Sequence, residues 1–101
     1  MPRSTTLPAL ELRCGQSPVL VREFPNGLEH FQAFVGGLID VINLEPATIA
    51  EVDSIYQVKS GTRACIVVND EGINLELPLN RVASIIAGQP VFGDALLCDV
   101  P

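Results

Sequence analysis

The chain has 101 residues, 48% of them hydrophobic, so it can build one core but not two, and it is too apolar to be disordered. Twelve acidic residues against six basic ones give a net charge of −6, which argues against nucleic acid as a partner because phosphate binding needs clustered lysine and arginine. No apolar run approaches the roughly 18 residues of a membrane span, and the N-terminal segment lacks the apolar stretch of a signal peptide, so we expect a cytoplasmic protein without membrane contacts.

The first part of the chain predicts a β-hairpin. We expect a single domain over residues 1–101, with residues 1–8 as a flexible N-terminal segment. The segments ALELRCG and SPVLVREFPNG then alternate loosely between apolar and polar residues, and the turn-like GQS separates them. Two short strands joined as a hairpin are therefore expected here.

The next segment, LEHFQAFVGG, predicts a short helix. Its apolar residues recur at spacings of three and four, which places them on one face of a helix over Leu28–Val35. Gly36 and Gly37 supply the backbone freedom that ends it. His30 lies off the apolar face and has no acid or nucleophile near it in sequence, so we interpret it as an ordinary surface histidine.

Of two segments in the middle of the chain, one predicts a strand and the other is ambiguous between helix and strand. LIDVINLEP is rich in β-branched residues and bounded by glycine and proline, which favours a strand. ATIAEVDSIYQVKSG is ambiguous, because Ile49, Val52 and Ile55 follow a helical period while Ile55 and Val58 can begin a strand. We expect an irregular or short extended piece here that ends in a turn at residues 60–61.

The segment TRACIVVNDEGINLELPLN predicts a second hairpin. TRACIVVN is a continuous apolar run typical of a strand buried on both faces, and INLELPLN alternates regularly. The NDEG turn between them combines Asn69 and Asp70, whose side chains bond to nearby backbone, with Gly72, which we expect at positive φ.

The last third predicts a helix and a closing strand. RVASIIAG suits a helix over Arg81–Ala87, with Asn80 as its N-cap and Gly88 as its C-terminal stop. The apolar residues at 95–100 form the last strand. Arg81 opposes the helix dipole, which costs about 0.3–1 kcal/mol if the side chain is exposed. Either an acidic residue of the domain or a carboxylate, phosphate or protein partner must favour it.

The three cysteines give no sign of a metal or redox site. Cys14, Cys65 and Cys98 are an odd number, and no two of them form a CxxC element. We expect apolar buried thiols in a reducing compartment. A disulfide between two of them, or a metal site completed by His30, is the alternative, but zinc favours closely spaced ligands that this chain does not show. No cofactor is predicted.

Together these elements predict an α+β domain with a mainly antiparallel sheet and two short helices, because tight turns between consecutive strands favour hairpins over long crossovers. Its composition is unusually apolar for its size, so we also expect self-association, most simply as a homodimer.

Four blocks of the sequence, VGGLIDVINL, IVVNDEG, LPLNRVAS and GDALLC, occur in the order and spacing of a known family. Over residues 35–97 the chain resembles a small family of unknown function found in bacteria, bacteriophages and mobile elements. Leu38 and Asp40 stand where the family pattern tends to have Tyr and Glu. The resemblance implies an association with phages or plasmids, and it implies no activity.

Three hypotheses of function follow. The first is a non-enzymatic, acidic interaction protein, for instance a phage or plasmid accessory factor that engages a host protein. The second is a binding module for a small anion such as a nucleotide, which uses Arg81 and the adjacent helix start. An enzyme is not expected, because no nucleophile and base stand at suggestive spacing. The candidate binding residues are Asn80, Arg81, Asn69, Asp70 and Glu71.

Overall fold

The computed structural model describes residues 6–58 and 64–99. It contains five strands and three helices, and it has the α+β fold that the sequence predicts. In chain order the elements are β1 Thr6–Leu12, β2 Val19–Pro25, α1 Leu28–Val35, β3 Ile39–Asn43, α2 Pro46–Tyr56, β4 Ala64–Asn69, α3 Arg81–Ala87 and β5 Ala95–Asp99. None of the helices in these two ranges is long and apolar enough to cross a membrane.

The five strands form one antiparallel sheet in the order β2-β1-β5-β4-β3. β1 and β2 pair as the predicted hairpin. All six residues of β4 and the first four of β5 are buried, because helices cover both faces of the sheet. The prediction that this apolar run is a strand buried on both faces is therefore confirmed. Such a strand does not need alternating polar residues, because neither face meets solvent.

The sheet separates two hydrophobic cores. Helix α1 packs on one face, and helices α2 and α3 pack on the other. The buried residues on the α1 face are Leu7, Ala9, Phe24, Phe31, Val35, Val67, Leu96 and Cys98. Those on the α2–α3 face are Leu10, Leu12, Ile49, Val52, Val58, Ala64, Ile66, Val68, Ala83, Val91, Ala95 and Leu97.

The predicted bounds of α1 and α3 are confirmed. Both helices end at a glycine in the left-handed region, Gly36 with φ of 82° and Gly88 with φ of 71°. Asn80 caps α3 as expected, since its side chain accepts a hydrogen bond from the Ala83 N–H.

Helix α2 corrects the expectation of an irregular or short extended piece in the segment 47–61, and with it the described residues contain three helices where two were expected. Pro46 stands at the helix start, where its fixed φ suits a helix and its missing N–H is not needed. Ile49 and Val52 are buried against the sheet, and Gln57 ends the helix with φ of 55°. The helical spacing of Ile49, Val52 and Ile55 therefore indicated the correct secondary structure for this segment. The predicted turn at residues 60–61 lies outside the described residues.

The predicted second hairpin is wrong. β4 pairs with β3 on one side and β5 on the other, so neither of its edges is free to pair with residues 73–80. Residues 70–76 form turns instead, with hydrogen bonds from the Leu75 N–H to the Glu71 oxygen (2.9 Å) and from the Leu77 N–H to the Gly72 oxygen (3.0 Å). Leu79 makes an isolated bridge with Phe92.

Two smaller expectations also need correction. Gly72 does not have positive φ; it is needed because a Cβ there would lie 2.8 Å from the backbone oxygen of Phe92. The N-terminal segment that we expected to be flexible includes residues 6–8, which belong to β1; Thr6 pairs with Pro25 and Leu7 with Phe24. Residues 1–5 lie outside the described part of the chain.

We predict that Gly72→Ala lowers the free energy of unfolding by about 1–3 kcal/mol, because the new methyl group meets backbone that cannot move aside cheaply. Gly27→Ala is the comparison: its Cβ would meet only the His30 ring at 3.3 Å, so any smaller loss there comes from the N-cap position of Gly27 in α1. Urea denaturation of both variants measures the difference. Equal stability of the two variants would contradict the role given to Gly72.

Candidate functional site

Asn80 is buried and holds three parts of the fold together. Its Nδ2 group donates to the backbone oxygens of Leu12 (2.6 Å) and Gly93 (2.9 Å), and its Oδ1 accepts from the Ala83 N–H (3.1 Å). Its side chain is 2% exposed. Both hydrogens of the amide group are thus used within the domain, which leaves no donor for a ligand.

Arg81, the next residue, points outward. It is exposed, and no carboxylate of residues 6–58 and 64–99 lies within 4.0 Å of its guanidinium group. It lines a groove of about 470 Å³ together with Arg13 and Asn80. The internal acidic partner that we considered for Arg81 is therefore not found in the described chain.

Arg13, the second cation of this groove, is already engaged. Its guanidinium lies 3.6 Å from carboxylate oxygens of both Glu11 and Asp94, and 4.6 Å from the centre of the Phe34 ring. These contacts hold Arg13 at the end of β1 and leave Arg81 as the cation without a partner in this groove.

Asn69 has a structural role like that of Asn80. Its Nδ2 group donates to the Val35 oxygen at the end of α1 (3.1 Å), and its Oδ1 accepts from the Glu71 N–H (2.8 Å). The second bond is the side-chain turn that the sequence predicts at this residue. Asn69 therefore fixes the turn after β4 against the end of α1.

Asp70 and Glu71 are exposed at a different groove, of about 320 Å³, which Asp40 also lines. Asp40 lies on the edge strand β3, where its Oδ1 accepts from the Val41 N–H (2.8 Å). This bond occupies one backbone donor of the edge and hinders pairing with another strand. The five candidate residues thus fall in two grooves that share no residue.

A third groove was not predicted from the sequence. It lies between α2 and α3, measures about 380 Å³, and is lined by Thr48, Glu51, Val52, Ile55, Tyr56, Val82, Ile85 and Ile86. Ile55 is 62% exposed and Ile85 is 81% exposed. The helical spacing of residues 49–55 was the sequence signal for α2. The groove needs both α2 and α3, and only α3 was expected from the sequence.

None of Cys14, Cys65 and Cys98 forms a disulfide in the described part of the chain. Cys65 and Cys98 are buried as expected, whereas Cys14 is only half-buried. Burial raises the pKa of the Cys98 thiol to about 12, with Cys65 and Asp99 as smaller causes. The pKa of the Cys14 thiol is also raised, first by burial and then by the Asp94 carboxylate. Raised pKa values disfavour the reactive thiolate form.

His30 lies on the exposed side of α1, as expected, with its Nε2 3.8 Å from a carboxylate oxygen of Glu29. Within residues 6–58 and 64–99, no three or more His, Cys, Asp or Glu side chains are grouped to hold a metal ion.

The chain matches a family over residues 9–101, and the description of that family is "Domain of unknown function (DUF3846)". The chain belongs to this family. A search of curated proteins and a search of solved structures each found no match. The DUF3846 match agrees with the predicted resemblance to a family of unknown function, and it assigns no activity to the grooves described above.

We predict that Asn80→Ala lowers the free energy of unfolding by about 2–4 kcal/mol, because it removes the helix cap and leaves the buried oxygens of Leu12 and Gly93 without a donor. Asn80→Asp restores the acceptor but not the donors, so it should remain destabilised at neutral pH. Chemical denaturation measures both. The exposed Asn74→Ala is the control and should change stability by less than about 0.5 kcal/mol; a similar small loss in Asn80→Ala would refute the role of Asn80.

Proposed function

We propose that this protein is a non-enzymatic interaction protein that binds a protein partner through the groove between α2 and α3. The observation that carries the proposal is the exposure of two isoleucines, Ile55 and Ile85, one on each helix of an apolar groove. Adjacent exposed apolar side chains of this kind mark binding surfaces more often than isolated ones do.

The energetics favour covering this surface. Full burial of one isoleucine side chain contributes about 1.5–3 kcal/mol. Ile55 and Ile85 are mostly exposed, while Val82 and Ile86 beside them are half-buried. A partner that covers the groove would therefore gain several favourable apolar contacts.

The setting of this activity is also part of the proposal. The resemblance of VGGLIDVINL, IVVNDEG, LPLNRVAS and GDALLC to a family of bacteria, phages and mobile elements supports a phage or plasmid accessory factor that engages a host protein in the cytoplasm. The net charge of −6 supports a protein partner over nucleic acid.

A second candidate function is the binding of a small anion at the groove of Arg13 and Arg81. Arg81 favours it, because the described chain offers this side chain no carboxylate and a guanidinium can bind a phosphate in a bidentate manner. Arg13 contributes less, because Glu11 and Asp94 offset its charge. Thermal shift against a panel of nucleotides tests it: stabilisation that Arg81→Ala abolishes supports an anion site, and no stabilisation argues against one.

For the protein-binding function, we predict that the double substitution Ile55→Ser and Ile85→Ser abolishes partner capture while the fold is retained. Leu38→Ser is the matched control, since Leu38 is 61% exposed and lies outside the three grooves described above. The measurement is retention of proteins from bacterial lysate on each immobilised variant, followed by binding of the identified protein in purified form.

Loss of the purified interaction in the isoleucine variant but not in Leu38→Ser would support the proposal. Equal binding by the unmodified protein, the double isoleucine variant and Leu38→Ser would show that the binding surface lies elsewhere. Circular dichroism of each variant verifies that the fold is intact.

A further inference from the structure

Helices α2 and α3 present matching side-chain pairs at the α2–α3 groove. On α2, Glu51 and Ile55 are four residues apart, and on α3, Arg81 and Ile85 have the same spacing. Residues four apart lie on one face of a helix, one turn from each other. Each helix therefore carries one charge and one exposed isoleucine in the same arrangement, and the two charges have opposite sign.

Neither charge is neutralised within the described chain. No ion pair within 4.0 Å involves Glu51 or Arg81 among residues 6–58 and 64–99, and both side chains belong to exposed residues. Glu51 lines the groove. Arg81 lines the groove of Arg13 and Asn80 instead, and because Val82 lines both grooves, Arg81 lies beside the α2–α3 groove. The surface formed by the two helices thus combines an apolar groove, lined by the anion Glu51, with the cation Arg81 beside it.

Such a surface is complementary to itself. A two-fold axis brings the same patch of two identical chains together, so that every contact is made twice. If α2 of one copy lies alongside α3 of the other in the same direction, Ile55 contacts the second copy's Ile85. Glu51 then meets the second copy's Arg81, and the equivalent pair forms on the other side of the axis. A partner of different sequence would have to supply both charges independently.

We propose that the occupant of the α2–α3 groove is a second copy of this chain, held by two reciprocal Glu51–Arg81 ion pairs around paired isoleucines. The proposal rests on the proposed function, because the second copy occupies the same surface; a host protein would bind there only when the dimer dissociates. It also gives Arg81 a role at the start of α3, where the helix dipole does not favour a cation.

The size of the groove limits the strength of this association. Eight residues line it and Arg81 lies beside it, whereas a standard interface involves about 20–30 residues a side. We therefore expect a dimer that forms at high micromolar concentration and dissociates on dilution.

Charge reversal tests the pairing. Sedimentation equilibrium of the full chain from about 10 µM to 1 mM should show a monomer–dimer equilibrium for the unmodified protein. Arg81→Glu and Glu51→Arg should each raise the dimer dissociation constant at least about tenfold, because like charges then face each other. The protein with both substitutions should recover the original dissociation constant, because the reversed charges pair again. Arg22→Glu, an exposed reversal on β2, is the control and should leave it unchanged.

The outcomes separate the two proposals. A chain that stays monomeric at 1 mM, or dimerises regardless of these substitutions, overturns the second-copy proposal. So does a double reversal that fails to restore the dimer while circular dichroism shows a native fold. If a reversal variant does not fold, the neutral Glu51→Gln and Arg81→Gln must each weaken the dimer for the proposal to stand. A monomer that still binds a different purified protein through Ile55 and Ile85 would leave the proposed function intact.

Discussion

The buried amide of Asn80 is the constraint on which the arrangement of the α2–α3 face depends. It joins the end of β1, the approach to β5 and the first turn of α3 through three hydrogen bonds. β1 and β5 are neighbours in the sheet, so Asn80 fixes α3 against the centre of the fold. α3 is only seven residues long and has one fully buried residue, Ala83, while Val82, Ile86 and Ala87 pack partly buried against the core. Together with the hydrogen bond from the Val91 N–H to the Ser84 hydroxyl, the Asn80 side chain therefore fixes the position of one wall of the groove.

The small number of helices explains why apolar residues remain exposed at the surface. The sheet uses the side chains of β4 and β5 on both faces, and these strands need helices above and below them to be covered. Two short helices cover one face, and a groove remains between them, bordered by Ile55 and Ile85. Within residues 6–58 and 64–99, no further helix or strand closes this groove.

Local signals in the sequence predicted part of this structure. The caps at Asn80 and Gly88 and the periodicity of α1 depend on neighbouring residues alone, so both helix bounds were predicted correctly. The hairpin after β4 was mispredicted because its outcome depends on β3 and β5 occupying both edges of β4, which no local pattern contains. Asn69 and Asn80 were recognised as turn and cap residues, but their long-range bonds to Val35, Leu12 and Gly93 were not predictable. The groove was missed because it requires α2 and α3 to be neighbours in space.

We propose that this protein binds through the surface formed by α2 and α3, with a second copy as its partner. Backbone amide chemical shifts recorded by NMR from about 20 µM to 1 mM test it most directly, because they report contacts residue by residue. The account predicts concentration-dependent shifts in Glu51, Ile55 and the residues of α3, and constant shifts in α1 on the opposite face of the sheet. Shifts that stay constant throughout, or that change only in α1 or in the edge strands, would contradict it.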